Sequence, residues 1–180
     1  MPRLRYLALE DLAPADRDLL ARPIHLYRAM ANAPGLTRAF LGLANQIRHR
    51  SRLDPRLRDL AILQVAWVLR SAYEWSHHIR IGRDFGVTEA DLRLVAQGGA
   101  ATEPAVAAVL QAAREIAEGD GTLPDGTLAA LRAHLAEDAV TELLLVSAFY
   151  VGVARFLRAA DIGVEPDYQA ELDAFPFPGG

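Results

Sequence analysis

The sequence predicts an all-α fold, and three observations carry the prediction. Helix start and stop signals recur along nearly the whole chain, no alternating Val/Ile/Thr run long enough for a strand follows Leu9, and segments 55–69 and 138–160 are apolar around most of a helical girth. Its 180 residues, 52% of them hydrophobic, suffice for a single domain that buries about 70% of its unfolded surface.

The elements follow in order. A short opening helix is expected at 14–22, a second at 24–31 and a third at 36–48, where Leu36, Ala39, Phe40, Leu43 and Ile47 recur at helical spacing; Pro23 and Pro34-Gly35 mark the breaks. Asp54-Pro55 reads as an N-cap before a proline at the first helical position, where a missing N–H costs nothing. The helix it opens, 55–69, is apolar on almost all sides and must be central. Ser71 and Glu74 fit a capping box for a helix ending at Gly86 as C′ glycine, and Thr88 and Asp91 repeat the box for one ending at Gly98-Gly99. Thr102 is expected to cap a stretch through Ala117, stopped by Gly119-Asp120-Gly121, and Thr122 with Asp125 to box a helix reaching about Leu135. Asp138 begins the last long helix. Beyond it, Phe175 and Phe177 in a Pro-rich tail should dock on their own subunit or on a neighbour.

Composition narrows the chemistry. There is no Cys, and all 19 basic residues are Arg. Without thiols there are no disulfides, thiolate metal sites or sulfur nucleophiles; without Lys there is no Schiff base and no phosphate-loop lysine. A net charge of -4 argues against nucleic acid as a partner, since binding it rests on excess positive charge. The N-terminus shows no apolar core followed by a small-residue cleavage site, so no signal peptide is expected. The longest apolar run, 60–69, is broken by Gln64 and falls short of the roughly 20 residues a membrane span needs. A cytoplasmic protein with no membrane partner is the expectation.

The segment Ser71-Ala72-Tyr73-Glu74-Trp75-Ser76-His77-His78 concentrates the remaining chemistry. Glu74 and His78 stand one helical turn apart with Ser71 a turn earlier, and a carboxylate beside an imidazole can orient it and form a proton relay. The same residues suit a plainer reading in which Glu74 closes the capping box and His78 merely pairs with it. Asp59 either complements its helix dipole and pairs with Arg56, or serves as a relay acid. Tyr73 is close enough to line the same pocket. His77 points about 100° away from His78, as a surface or interface residue, and His25, His49 and His134 are expected on the surface. No metal is expected, because a triad drawn from His77, His78, Glu74 and Asp59 would need adjacent, diverging histidines to share an ion. The five Arg between 48 and 58 read as a solvated stretch or as an anion funnel. Arg70 either caps helix 55–69 or, with Ser71 and Tyr73, binds a substrate carboxylate.

These residues also carry a resemblance. Arg58-Asp59-Leu60-Ala61-Ile62-Leu63, Tyr73-Glu74-Trp75-Ser76-His77-His78 and Gly86-Val87-Thr88, followed by Glu89 and Asp91, are similar to the carboxymuconolactone decarboxylase and alkyl hydroperoxidase D-like family over residues 24–98. Ala154-Arg155-Phe156-Leu157 resembles its longer members. The resemblance implies an orthogonal helical bundle with residues 1–23 as an extension, 24–98 as the core, 99–165 as C-terminal helices and 166–180 as an extended tail. It also implies a homo-oligomer, a trimer or hexamer. The peroxidase branch's Cys-x-x-Cys-x-x-x-His falls on Ser71, Glu74 and His78, with the upstream acid on Asp59. Its dithiol cycle cannot run here, because neither Ser nor Glu forms a disulfide. The decarboxylase branch is similar in its Glu-x-x-x-His, supplied by Glu74 and His78, although its Tyr-x-Gly-x-Pro is met only by Tyr150-Val151-Gly152-Val153-Ala154. That branch implies loss of carbon dioxide from a carboxylated lactone and reprotonation of carbon, with no metal or organic cofactor. The expectation is a lyase with His78 as acid or base, Glu74 as its orienter or second carboxylate, Asp59 as relay acid and Arg70 as carboxylate clamp. A catalytically idle oligomer that binds a small ligand or a protein partner is the alternative.

Overall fold

The computed structural model describes residues 2–98 and 101–178, and among these it contains helices and no strand. Two 3-10 turns, Leu9–Asp11 and Pro14–Leu20, lead into α1 (His25–Met30), α2 (Pro34–Arg50), α3 (Pro55–Val68), α4 (Ala72–Asp84), α5 (Glu89–Gln97), α6 (Pro104–Glu118), α7 (Asp125–Arg132) and α8 (Glu137–Ala159). A third turn, Pro166–Tyr168, precedes α9 (Gln169–Ala174). The opening segment, bounded by Pro14 and Pro23, is therefore 3-10 and not α. Residues 166–174 are helical where an extended tail was expected, ordered by packing onto α4.

Helix α3 is the hub, packed against α4, α5, α6 and α8. It has no polar face to turn to water: every residue from Leu57 to Ala66 is buried. Asp54 caps it, its side chain accepting from Leu57 N at 3.1 Å, and Pro55 opens it. The end of α4 also follows its sequence. Gly86 takes φ +91°, Val87 N–H donates to Gly82 O at 2.8 Å and Gly86 N–H to Arg83 O at 3.3 Å, which makes a Schellman cap. Gly82 is the close approach of α4 to α3, for a Cβ there would lie 2.9 Å from Val87 Cγ2 and 3.5 Å from Asp59 Cβ. The box of Thr88 and Asp91 forms in both directions, and Gly98 closes α5 with φ +68°. Gly99 lies outside the described residues.

Three expected caps do not form. No side-chain bond caps α4 at Ser71; Glu103, not Thr102, is the N-cap of α6; and Pro124 precedes α7 while Thr122 N–H bonds Asp120 Oδ1 at 2.8 Å. For α6 and α7 a proline decides where the helix begins, overriding the hydroxyl preference, and α7 stops at Arg132, short of Leu135.

The stripe on α2 departs further. Of its five apolar residues only Ile47 is buried, and Leu36 is 75% exposed. Helix α2 packs against α1 and the Pro14–Leu20 turn, with the buried Thr37 hydroxyl donating to Met30 O at 2.6 Å. Leu36, Phe40, Phe149 and Phe156 therefore line an open apolar groove of about 430 Å³ between α2 and α8. By length and composition alone α8 is apolar enough to cross a membrane, yet its inner face packs on α3 and α6. The tail docks on its own chain: Trp75 Nε1 donates to Phe175 O at 2.9 Å, Phe177 stacks on Trp67 with ring centroids 4.8 Å apart, and Arg70 donates to Pro178 O. Gly179 and Gly180 lie outside the described residues.

Candidate active site

The register of α4 on α3 brings Asp59, Glu74 and His78 together. His78, one turn before the Gly82 contact, places Nδ1 2.9 Å from Asp59 Oδ1, and its Nε2 lies 3.5 Å from Glu74 Oε2. Asp59, not Glu74, is thus the closer partner that fixes the imidazole, and Glu74 stands at the opposite ring nitrogen. The other oxygen of Asp59 accepts from Arg58. Arg56 is no partner of Asp59, being 2.7 Å from Asp91 and 3.1 Å from Glu103. Arg58 is itself buried, donating to Arg48 O at 2.8 Å with its guanidinium over the Phe85 ring.

The two carboxyl groups are driven apart. Burial by itself would raise Asp59, but its hydrogen bond to His78 and the charges of His78 and Arg58 hold it below the usual carboxylate range. Burial raises Glu74, and the charges of His78 and Arg48 offset this only in part. One imidazole therefore sits between a carboxyl group held low and one held high, an arrangement suited to holding and moving a proton.

The line opens on a small cavity of about 40 Å³ walled by α1, α2, α4 and α8, where Tyr27, Arg48, Tyr73, His77 and Tyr150 join Glu74 and His78. Tyr150 meets the His78 ring edge-on at 5.0 Å. Burial raises the phenols of Tyr27 and Tyr150, keeping both as neutral hydrogen-bond donors. Arg48 points no hydrogen bond or ion pair at any described residue, so its guanidinium is available to an anion in the cavity.

His77 corrects the surface expectation: it is buried, stacked between Tyr73 at 4.2 Å and Tyr168 at 3.7 Å. Its Nε2 lies 2.8 Å from Glu165 Oε2, while Glu165 Oε1 accepts from Tyr73 Oη at 2.8 Å and from His25 N at 2.6 Å. Burial would raise Glu165, but these bonds, that from His77 first, bring it down to about 2. Burial lowers His77 despite the carboxylate. His25 is not a free surface residue either, since its ring stacks on Tyr6 and bonds Gly163 O at 2.9 Å; His49 and His134 are exposed as expected. Nothing in the sequence marked Glu165, which lies past the last long helix. Arg70 and Ser71 do not face His78. They line a separate hollow, with Tyr73 as the wall shared by the two spaces. Among the described residues no group of three or more His, Asp or Glu is arranged to hold a metal ion.

Residues 34–118 match the model of the carboxymuconolactone decarboxylase family. In fold the chain is similar to the alkylhydroperoxidase AhpD core of an uncharacterized peroxidase-related protein from Ralstonia eutropha, at 17% identity, with 93% of this chain and 94% of that one covered and a TM-score of 0.80. It is also similar to the debrominase Bmp8, seen as a Cys-to-Ala variant in complex with 2,3,4-tribromopyrrole, at 21% identity, 96% coverage of each chain and a TM-score of 0.79. A protein of unknown function from Agrobacterium tumefaciens follows at 19% identity, covering 76% of this chain and 94% of that one, with a TM-score of 0.66. No curated protein matches the sequence.

Proposed function

We propose that this chain, whose residues 34–118 match the carboxymuconolactone decarboxylase family and whose fold is AhpD-like, is a cytoplasmic, cofactor-independent lyase that transfers protons on a small carboxylated or lactone substrate. The observation that carries this reading is the buried line Asp59, His78, Glu74 ending at a cavity that holds the unpartnered Arg48. Arg48, in the place first given to Arg70, binds a substrate carboxylate. A second carboxylate of the substrate leaves as carbon dioxide, and its bonding pair passes into the conjugated lactone. Glu74 delivers a proton to the carbon that gains this electron density, and His78, held by Asp59, replaces the proton on Glu74. Tyr150 and Tyr27 donate hydrogen bonds to the developing negative oxygen.

A lactone needs more room than about 40 Å³. Tyr27, Ala44 and Arg48 also line an adjoining surface hollow of about 250 Å³, so an outward swing of Tyr27 and Arg48 joins the two spaces and admits substrate. The small volume of the cavity equally favours the second reading, an idle family member that binds a small ligand or protein. Turnover on a panel of carboxylated lactones separates them. The expected result is activity that falls by about 10²–10⁴-fold in His78→Ala and Glu74→Gln. No turnover of any panel member by a folded parent would leave the idle binder.

The same reading includes a homo-oligomer, a trimer or hexamer. The exposed Leu36 and Phe156 of the apolar groove support it, because a lone chain leaves that face in water. Sedimentation at micromolar concentration should show an assembly, and a monomer there would remove this part of the proposal.

A further inference from the structure

The start of α4 is left incomplete by the chain's own side chains. Ser71 is the N-cap, with φ −86° and ψ 91°, but its hydroxyl makes no cap bond and has no hydrogen-bond partner among the described residues. Ser71 is only 8% exposed, and it lines a hollow of about 270 Å³. Glu74, the one acidic residue of the first turn, lines the His78 cavity on the other side. A helix of 13 residues thus presents first-turn N–H groups, at the positive end of its dipole, with no side chain to receive them.

Two guanidinium groups border the same hollow. Arg70, held at φ +51°, donates to Pro178 O, and Arg158 Nη2 donates to Leu69 O at 2.6 Å. Each bond uses part of a five-donor fork and leaves other N–H groups for a ligand. Asp161 also lines the hollow and is engaged within the fold, so two positive charges face one negative.

From the unpartnered Ser71 hydroxyl, the uncapped start of α4 and the flanking Arg70 and Arg158, we propose a binding site for a small oxyanion, a carboxylate or phosphate group, separate from the His78 cavity. The oxyanion accepts from the first-turn N–H groups and from the Ser71 hydroxyl, and the arginines neutralise it. Tyr73 is the wall between this site and His78. The inference does not depend on the proposed lyase activity.

The full chain, labelled with nitrogen-15, is titrated with sodium phosphate, sodium acetate and sodium chloride at constant ionic strength. The amides of Ala72 and Tyr73 are expected to shift saturably in the millimolar range with phosphate, acetate or both, and not with chloride. Response to phosphate alone identifies a phosphorylated ligand, and response to acetate alone a carboxylate. Ser71→Asp, which supplies the missing acceptor from the chain itself, should abolish the response and raise Tm by a few degrees. Arg158→Gln should weaken binding by about threefold or more. No saturable shift, an equal shift with chloride, or an unchanged titration in Ser71→Asp would overturn the proposal.

Discussion

Asp59→Asn is expected to cost about 3–5 kcal/mol of stability, as is typical when one partner of a buried ion pair is removed. The reason lies in what it leaves behind: Arg58, 2% exposed, keeps its charge with only the Arg48 and Ile47 carbonyls and the Phe85 ring around it. At this chain length each kcal/mol lowers Tm by roughly 2–4 °C. Turnover that depends on His78 should fall with it, since the amide no longer anchors the imidazole as a charged acceptor at Nδ1. The pH dependence has a definite sign. Asp59 is held below its unfolded value of about 3.9, so its contribution is full above that value and is lost as pH falls through the lower folded one. Urea denaturation of parent and variant between neutral pH and pH 3 should therefore converge toward acid. A neutral-pH difference below about 1 kcal/mol would mean that Asp59 and Arg58 are not a buried ionic pair.

Glu74→Gln is expected to act oppositely on stability and activity. Burial holds Glu74 above the ordinary carboxylate range, so between the unfolded value near 4.3 and the raised folded value the native state keeps a proton that the unfolded state has lost. The parent's stability thus falls as pH rises through the folded value. Glutamine stays neutral and removes that fall. At pH 8 the variant should be more stable by about 1–3 kcal/mol, the cost of a poorly paired buried polar group, and at pH 4 nearly equal to the parent. Activity should drop all the same, because glutamine has no proton to deliver to carbon. Thermal melts of both proteins from pH 4 to pH 9 test this directly. Parallel curves would show Glu74 to be an ordinary ionised partner of His78 and would take the general acid out of the mechanism.

The sequence by itself determined what is fixed within a turn or two of helix. Asp54 with Pro55, the box of Thr88 and Asp91, the C′ glycine at Gly86 and the facing of Glu74 and His78 are all set by neighbours three to five residues away, where helical geometry is regular. Girth decided the centre as well: α3 has no polar face, so no arrangement but burial on all sides was open to it. The tertiary structure decided which partners meet across helices. Asp59 and His78 are 19 residues apart, and Glu165 and His77 are 88 apart; no spacing rule pairs such residues, because their contact depends on how Gly82 seats α4 on α3 and on where the chain returns after α8. The same holds where local signals misled. Ser71 and Glu74 satisfy the capping pattern, yet Glu74 makes its contacts in the cavity with His78. Leu36 has the spacing of a core residue on α2, yet stays 75% exposed in the open groove between α2 and α8, while Ile47 on the same stripe is buried. A periodic pattern fixes which residues share a face, and only the packing of the whole chain fixes what that face meets.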